Sequence, residues 1–272
     1  MFVIKADGSK QEFDKNKIVR TCIRMRLDEE AAKEVADRIE KRIVDGTSTR
    51  QILKMIFSFV KDYRPAVRHI VDLRESISLL RPKPDFEEFV RLILNEYGYE
   101  TSGNQFIKGR CVEHEIDGIV RKGKDVLLLE IKHHYQHHTY TGLGIILEAN
   151  STLEDIQDGF GRNHTIKFNR ALIVCNTKFS IHAIDYAGCK EIELIGWNMP
   201  IGRGLETMIG GKKLYPITFL KILDKNTERK LADNGIVLLK QLIEMDVQEL
   251  KKRTKIKESK LNILKKRAME II

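Results

Sequence analysis

The stretch Glu115-Ile116-Asp117-Gly118-Ile119-Val120, followed after a basic turn by Val126-Leu127-Leu128-Leu129-Glu130-Ile131-Lys132, decides how this chain is read. Two apolar runs of strand length enclose three ionisable groups, Asp117, Glu130 and Lys132. Burying an unpaired charge costs several kcal/mol, so such groups persist where they are paired, hold a metal or take part in chemistry. Within Lys122-Gly123-Lys124-Asp125, Gly123 suits the first central position of a two-residue hairpin loop, where a primed turn needs positive φ. With Gly123 and Lys124 as the loop, Lys122 faces Asp125, and counting outward sets Asp117 opposite Glu130 and Glu115 opposite Lys132. Side chains alternate along a strand, so Asp117, Glu130 and Lys132 share one sheet face while Ile131 points the other way.

Two facing carboxylates repel unless a cation lies between them, and an all-oxygen donor set favours a hard ion such as Mg²⁺, or Mn²⁺. An ammonium two residues along the strand can hold or deprotonate a water, or stabilise charge on a phosphate. The set fits phosphodiester hydrolysis. A plainer alternative stands beside it: Asp117 and Lys132 as a cross-strand ion pair, worth about 0–1 kcal/mol if exposed. Glu113 and Glu115 share the parity of Asp117 and are second-rank candidates for the same face.

Asp117, an interval of twelve residues, then Glu130-Ile131-Lys132 resembles the PD-(D/E)xK motif of the restriction-endonuclease-like superfamily. Phe86-Glu87-Glu88-Phe89-Val90, then Leu92-Ile93-Leu94 and Tyr97-Gly98-Tyr99, is similar to the first helix and following strand of its Mrr-type branch. Arg170-Ala171-Leu172-Ile173-Val174-Cys175-Asn176, Ala183 to Ala187 and Ile192-Glu193-Leu194-Ile195 match its later strand, helix, strand run. The resemblance covers residues 84–200 and implies an α/β nuclease domain with a mixed sheet. It implies that Asp117, Glu130 and the Ile131 backbone hold the metal, that Lys132 serves the attacking water and that Glu87 supports the metal site. Ile116 stands where the motif usually has proline.

The whole chain bounds the reading. Its 272 residues exceed a typical domain, so two or three domains are expected. A formal net charge of +9 favours a polyanionic partner. Cys22, Cys111, Cys175 and Cys189 are scattered without CxxC spacing, which implies no zinc ribbon or disulfide framework and fits a reducing compartment. No apolar run reaches the length of a membrane span. A soluble, cytoplasmic protein is expected, and a homodimer is left open. Arg81-Pro82-Lys83-Pro84 and the Gly- and Pro-containing stretch Met199 to Pro216 punctuate the pattern, the latter reading as a linker or peripheral loop over 201–217.

Residues 1–82 begin with a short β-pair, Met1 to Lys5 and Gln11 to Phe13, then continue in amphipathic helices with apolar positions at Ile18, Cys22 and Met25 and at Ala32, Val35, Ala36 and Ile39. Asp28 is a candidate N-cap, and Thr47 or Thr49 precedes a further helix near Arg50. A small helical bundle with a β lid follows. Val3 to Ser9, Phe13 to Ile18, Gly46 to Thr49 and Val67 to Arg74 resemble the ATP-cone, a nucleotide-sensing domain. The resemblance implies ATP or dATP as effector and contacts from Lys5, Gln11, Asp14, Lys17 and Thr49. Without the family, Lys5 and Lys17 read as solvated surface lysines. The family's basic pair is Lys5-Ala6 here, which removes one phosphate-contacting cation.

Residues 218–272 read as short amphipathic helices separated by Asn234-Gly235-Ile236 and Thr254-Lys255-Ile256 turns. They resemble a tandem helix-hairpin-helix module, all-α, whose hairpin backbone approaches DNA phosphates. Asn234 and Gly235 match its first hairpin, while Lys255 replaces the second glycine. Lys255, Lys257 and Lys260, within a cluster that includes Lys251, Lys252 and Arg253, supply candidate phosphate contacts. A solvated helix face or a protein-binding module is the plain alternative. His133, His134, His137 and His138 fit a rim or an exposed loop better than a zinc site, and Trp197 is expected to pack.

These units combine into a multidomain α/β expectation: a metal-dependent deoxyribonuclease acting on duplex or branched DNA, carrying a nucleotide sensor. The alternative is a nucleotide-responsive DNA-binding adaptor without catalysis.

Overall fold

The computed structural model describes all 272 residues, which divide into two compact units. The first comprises Met1–Ile70 with Leu220–Ile222 and Ile263–Ile272, the second Val71–Phe219 with Leu223–Asn262.

In the first unit, β1 (Phe2–Ile4), β2 (Lys10–Glu12), α1 (Lys15–Arg24), α2 (Glu29–Glu40), β3 (Thr47–Ser48) and α3 (Thr49–Tyr63) follow in order. The strands form a three-stranded sheet with β1 central, antiparallel to β2 and parallel to β3. Ile18 and Cys22 of α1, Ala32, Val35, Ala36 and Ile39 of α2, and Ile52, Ile56, Phe59 and Val60 of α3 share one core. That is the three-to-four-residue spacing of one helical face. Each helix starts at a side-chain cap: Asp14 accepts from the Asn16 N–H, Asp28 from Ala31, and Ser48 from Gln51 in a reciprocal capping box. The cap of α3 is therefore Ser48, where Thr47 or Thr49 was expected. Thr47 is occupied otherwise, its hydroxyl bonding the Val44 backbone. Arg64 donates to the carbonyls of Met25 and Ile271 and so ties the C-terminal residues into this unit.

The second unit holds α4 (Leu73–Ser78), α5 (Glu87–Glu96), β4 (Glu100–Thr101), β5 (Gln105–Lys108), β6 (Glu113–Ile116), β7 (Gly118–Lys122), β8 (Asp125–Lys132), β9 (Tyr140–Thr141), α6 (Leu143–Gly159), β10 (Arg170–Cys175), β11 (Lys178–Phe179), α7 (Ile181–Cys189), β12 (Glu193–Ile195) and α8 (Leu205–Lys212). A five-stranded mixed sheet runs in the order β12-β10-β8-β7-β4. β8, β10 and β12 are parallel, β7 is antiparallel to β8, and β4 is antiparallel to β7 and so runs with the others. α6 and α7 are the crossovers of the parallel part, and their Ile146, Ala149, Ile156, Ala183 and Ala187 pack with Leu128, Ala171, Ile173 and Cys175 of the sheet. Burial by crossover helices explains why these strands read as unbroken apolar runs.

Two sequence expectations are corrected here. Leu92-Ile93-Leu94 still belong to α5, and the next strand begins only at Glu100. Residues 201–217, expected as a linker or peripheral loop, contain α8 with Leu205, Met208 and Ile209 buried; its glycines hid the helical pattern.

α9 (Lys225–Ala232), α10 (Leu239–Glu244), α11 (Val247–Thr254) and α12 (Glu258–Ile271) complete the chain. The turn after α9 uses Gly235 at φ +74, and the turn after α11 uses Lys255 at φ +56, a left-handed conformation that usually falls to glycine. Arg253 donates to the Asn234 carbonyl at 2.6 Å, joining the two turns. No helix is long and apolar enough to cross a membrane.

Candidate active site

The hairpin between β7 and β8 has the register read from Gly123, which sits at φ +61. Lys122 pairs with Asp125 and Gly118 with Leu129, which leaves Asp117 and Glu130 as the next positions outward. Asp117 does not continue the ladder through its backbone. Its Oδ2 accepts a hydrogen bond from the Ile131 N–H at 2.8 Å, so a buried side chain closes the gap where the strand ends. The N–H and C=O of a strand residue lie on the same edge, so the Ile131 carbonyl also faces the side on which Asp117 stands.

Beyond Asp117 the chain turns away. β6 leaves the sheet and pairs with β5 as a separate ribbon, with Glu115 opposite Phe106. The expected pairing of Glu115 with Lys132 is therefore corrected. The hairpin ends at Gly118, where a Cβ would stand 2.3 Å from the Ser102 carbonyl oxygen, and the chain bends there instead of extending the ladder. The ribbon is fastened to α6 by Asp155, which accepts from the backbone of Cys111 and Val112 and lies 2.8 Å from His114 Nε2.

Glu130 and Lys132 stay on one face of β8, and Lys132 Nζ lies 2.6 Å from Glu130 Oε1. Burial raises the Glu130 pKa, and the Asp117 charge adds to that against the opposing Lys132 bond. Burial acts to lower the Lys132 pKa, but its bond to Glu130 outweighs this and the net shift is upward. Lys132 is thus an ammonium at neutral pH, suited to holding a water or a phosphate oxygen rather than to taking a proton. Glu148, on α6, adds a further negative charge near both groups.

Glu87 opens α5 and is 5% exposed. Burial first, and the Asp117 charge second, raise its pKa. Its buried Oε1 receives no well-directed hydrogen bond; the nearby cation is Lys83, 3.3 Å away. Lys83 also lies 3.1 Å from Asp117 Oδ1 and 3.3 Å from Glu115 Oε1. This lysine was not singled out from the sequence, although its place four residues before Glu87 and between two prolines was a usable signal. Glu115 accepts from Asn104 at 2.6 Å as well, and that bond, with Lys83, lowers its pKa.

The donor set suits a hard divalent ion: carboxylates of Asp117, Glu130 and Glu87, two of them pushed toward protonation by burial and by their neighbours, and one buried oxygen without a directed partner. No three acidic, histidine or cysteine side chains converge as a ready cage. Glu130 is turned to Lys132, and Lys83 stands between the others.

The histidines after β8 do not converge on one point, although the rings of His137 and His138 touch with centroids 4.4 Å apart. His133 packs edge-on against Phe86, with ring centroids 5.0 Å apart, His134 meets Thr141 and Asn176, and His137 meets Ser78. Burial lowers the pKa of all three, that of His137 to about 4. Trp197 is buried, with the Arg74 guanidinium 5.7 Å from its ring.

In the first unit, Lys5 follows β1 and lies 3.5 Å from Asp7, Gln11 sits on β2 opposite Val3, Asp14 caps α1, Lys17 is exposed in its first turn and Thr49 opens α3. A cavity of about 550 Å³ lies elsewhere in this unit, lined by Arg42, Asp45, Thr47, Gln51, Lys54 and Met55 among others, and none of the five candidates borders it. Of the tail candidates, Lys260 is paired with Asp224, whereas Lys255 and Lys257 are exposed. Asn234 donates to the Lys230 carbonyl while its own carbonyl is held by Arg253.

Residues 1–74 match the ATP cone domain, 81–198 a restriction endonuclease family and 215–272 the C-terminal domain of AF1548-like proteins. An uncharacterized protein of Archaeoglobus fulgidus is 33% identical over 180 residues, which is 66% of this chain and 94% of that protein. The crystal structure of AF1548, a protein of unknown function, superimposes with a TM-score of 0.59 at 31% identity, covering 68% of this chain and 95% of that one. The chain belongs to the AF1548-like family, with an ATP-cone domain ahead of a restriction-endonuclease-family domain.

Proposed function

We propose that the protein is a divalent-metal-dependent DNA endonuclease whose restriction-endonuclease-family domain hydrolyses phosphodiester bonds. The observation that carries this reading is the joining of Asp117, Glu130 and Lys132 where the β7–β8 pairing ends, through the Asp117 to Ile131 bond and the Glu130 to Lys132 pair. Asp117, Glu130 and the Ile131 carbonyl would hold Mg²⁺ or Mn²⁺, with Glu87 in support. When bound, the ion supplies Lewis-acid polarisation of the phosphate and a more acidic water.

The chain's own residues do the rest. The Lys132 ammonium orients a water or neutralises charge on a non-bridging phosphate oxygen, because its proton is held by Glu130. Asp117 is kept in register by the strand that carries the other two groups. The tail, read as paired helix-hairpin-helix turns, grips phosphates through the exposed Lys255 and Lys257 and the backbone at Asn234-Gly235, in duplex or branched DNA. The cone binds ATP or dATP through Lys5, Gln11, Asp14, Lys17 and Thr49 and regulates cleavage.

A panel of duplex, single-stranded and branched DNA incubated with Mg²⁺ tests the reading, with and without ATP and dATP. Cleavage by the wild type and its absence in Asp117→Ala and Lys132→Ala are expected. Equal inertness of all three on every substrate returns the protein to the adaptor alternative.

A further inference from the structure

Lys83 is unlike the other surface lysines. Its ammonium lies 3.1–3.3 Å from oxygens of three carboxylates on three different elements: Glu87 at the start of α5, Glu115 on β6 and Asp117 at the end of the hairpin. Side chains of Glu87 and Asp117 are 7% and 9% exposed, so their mutual repulsion is poorly screened by water. The Lys83 ammonium bridges all three, whereas Arg91, 3.8 Å from Glu87 Oε2, pairs with Glu87 and reaches neither Asp117 nor Glu115. Pro82 and Pro84 flank the lysine and restrict the backbone that delivers it. Its side chain is nevertheless 56% exposed, so the ammonium can leave along its flexible stem without disturbing the core.

An ammonium and a divalent ion cannot both occupy the space between these oxygens, because like charges in contact repel strongly where water is scarce. We propose that Lys83 is the resident counter-cation of the Asp117, Glu87 and Glu115 cluster, and that a divalent ion enters only by displacing its ammonium. The inference rests on the metal-dependent reading given above and adds to it an internal competitor. Metal affinity is then reduced by the fraction of molecules in which Lys83 is seated. Glu115 belongs to the hold on Lys83 and is not itself a metal ligand.

The experiment is isothermal titration of the metal-stripped full-length chain with MnCl2, without DNA. Lys83→Met should bind Mn²⁺ about tenfold more tightly than the wild type, and Glu115→Gln several-fold more tightly, since each frees the site from its competitor. Equal affinities in wild type and Lys83→Met overturn the proposal, as does the absence of Mn²⁺ binding in every variant. Should Lys83→Met fail to fold, the exposed Glu115→Gln decides: tighter binding supports the exchange, and unchanged or weaker binding overturns it. DNA cleavage is scored separately. A wild type that exchanges Lys83 for Mn²⁺ but cuts nothing removes the hydrolase reading alone, whereas one that cuts with an affinity indifferent to Lys83 removes the exchange alone.

Discussion

The Asp117 carboxylate accepts a hydrogen bond from the backbone N–H of Ile131, so the strand that presents Glu130 and Lys132 also positions the aspartate facing them. Asn can keep that acceptor without the charge. Asp117→Asn should therefore retain a near-native melting curve while losing metal-dependent DNA nicking. Asp117→Ala leaves the buried N–H unpaired and should cost about 1–3 kcal/mol in addition. Denaturant titration beside a plasmid assay checks both, and a destabilised Asn variant with nicking intact contradicts the assignment.

Lys132 is the cation closest to Glu130, whose pKa is raised by burial despite it. In Lys132→Met the Glu130 carboxyl loses its charge partner and its pKa climbs further. Any residual cleavage should then need a higher pH than in the wild type. A pH–rate profile reads this, and an unshifted profile would separate Lys132 from Glu130.

Burial lowers the pKa of His133, His134 and His137, the last to about 4 against an ordinary value of 6.5. The unfolded chain binds more protons than the folded one between those limits, so stability rises with pH across that interval and is lost as pH falls through it. Melting temperature measured from pH 7 to pH 4 should drop, and His137→Gln should flatten part of the slope. A parallel slope in wild type and variant would assign the loss to other groups.

Lys255 adopts a left-handed backbone in the turn between α11 and α12. Lys255→Gly should relieve about 1 kcal/mol of strain and, under the proposed function, remove one phosphate contact. Fluorescence anisotropy against salt should show the slope of log affinity falling by about 0.9. An unchanged slope would place Lys255 outside the DNA contact.

Gly118 follows the aspartate with its Cα hydrogen toward the Ser102 carbonyl. Gly118→Ala forces a backbone shift in β7, with an expected loss of about 1–3 kcal/mol and of nicking, since Asp117 moves with it. Chemical denaturation tests the first and the plasmid assay the second.

The hairpin was legible because its determinants are local: a glycine with positive φ and the alternation of side chains define the register without any distant partner. The shared face of Glu130 and Lys132 follows from that register. The break at Asp117 was not legible, because it depends on the Ser102 carbonyl crowding Gly118 and on a separate ribbon recruiting β6. Lys83 has Glu87 four residues on as a local signal, but its bridging role depends on Glu115 and Asp117, 32 and 34 residues away, which meet it only through tertiary packing. α8 escaped because Gly210 and Gly211 dilute its pattern, while Leu205, Met208 and Ile209 still bury one face.

Arg81 bonds the buried Asp85 in the turn that leads into α5 and, with the same guanidinium, Asp233 beside the Asn234-Gly235 turn. Such a clamp couples the Asn234-Gly235 turn to the start of α5, where Glu87 stands. Under the proposed function, a branched DNA whose junction is held by that turn should be cut at a constant distance from the junction, and Arg81→Ala should spread the cut over neighbouring positions.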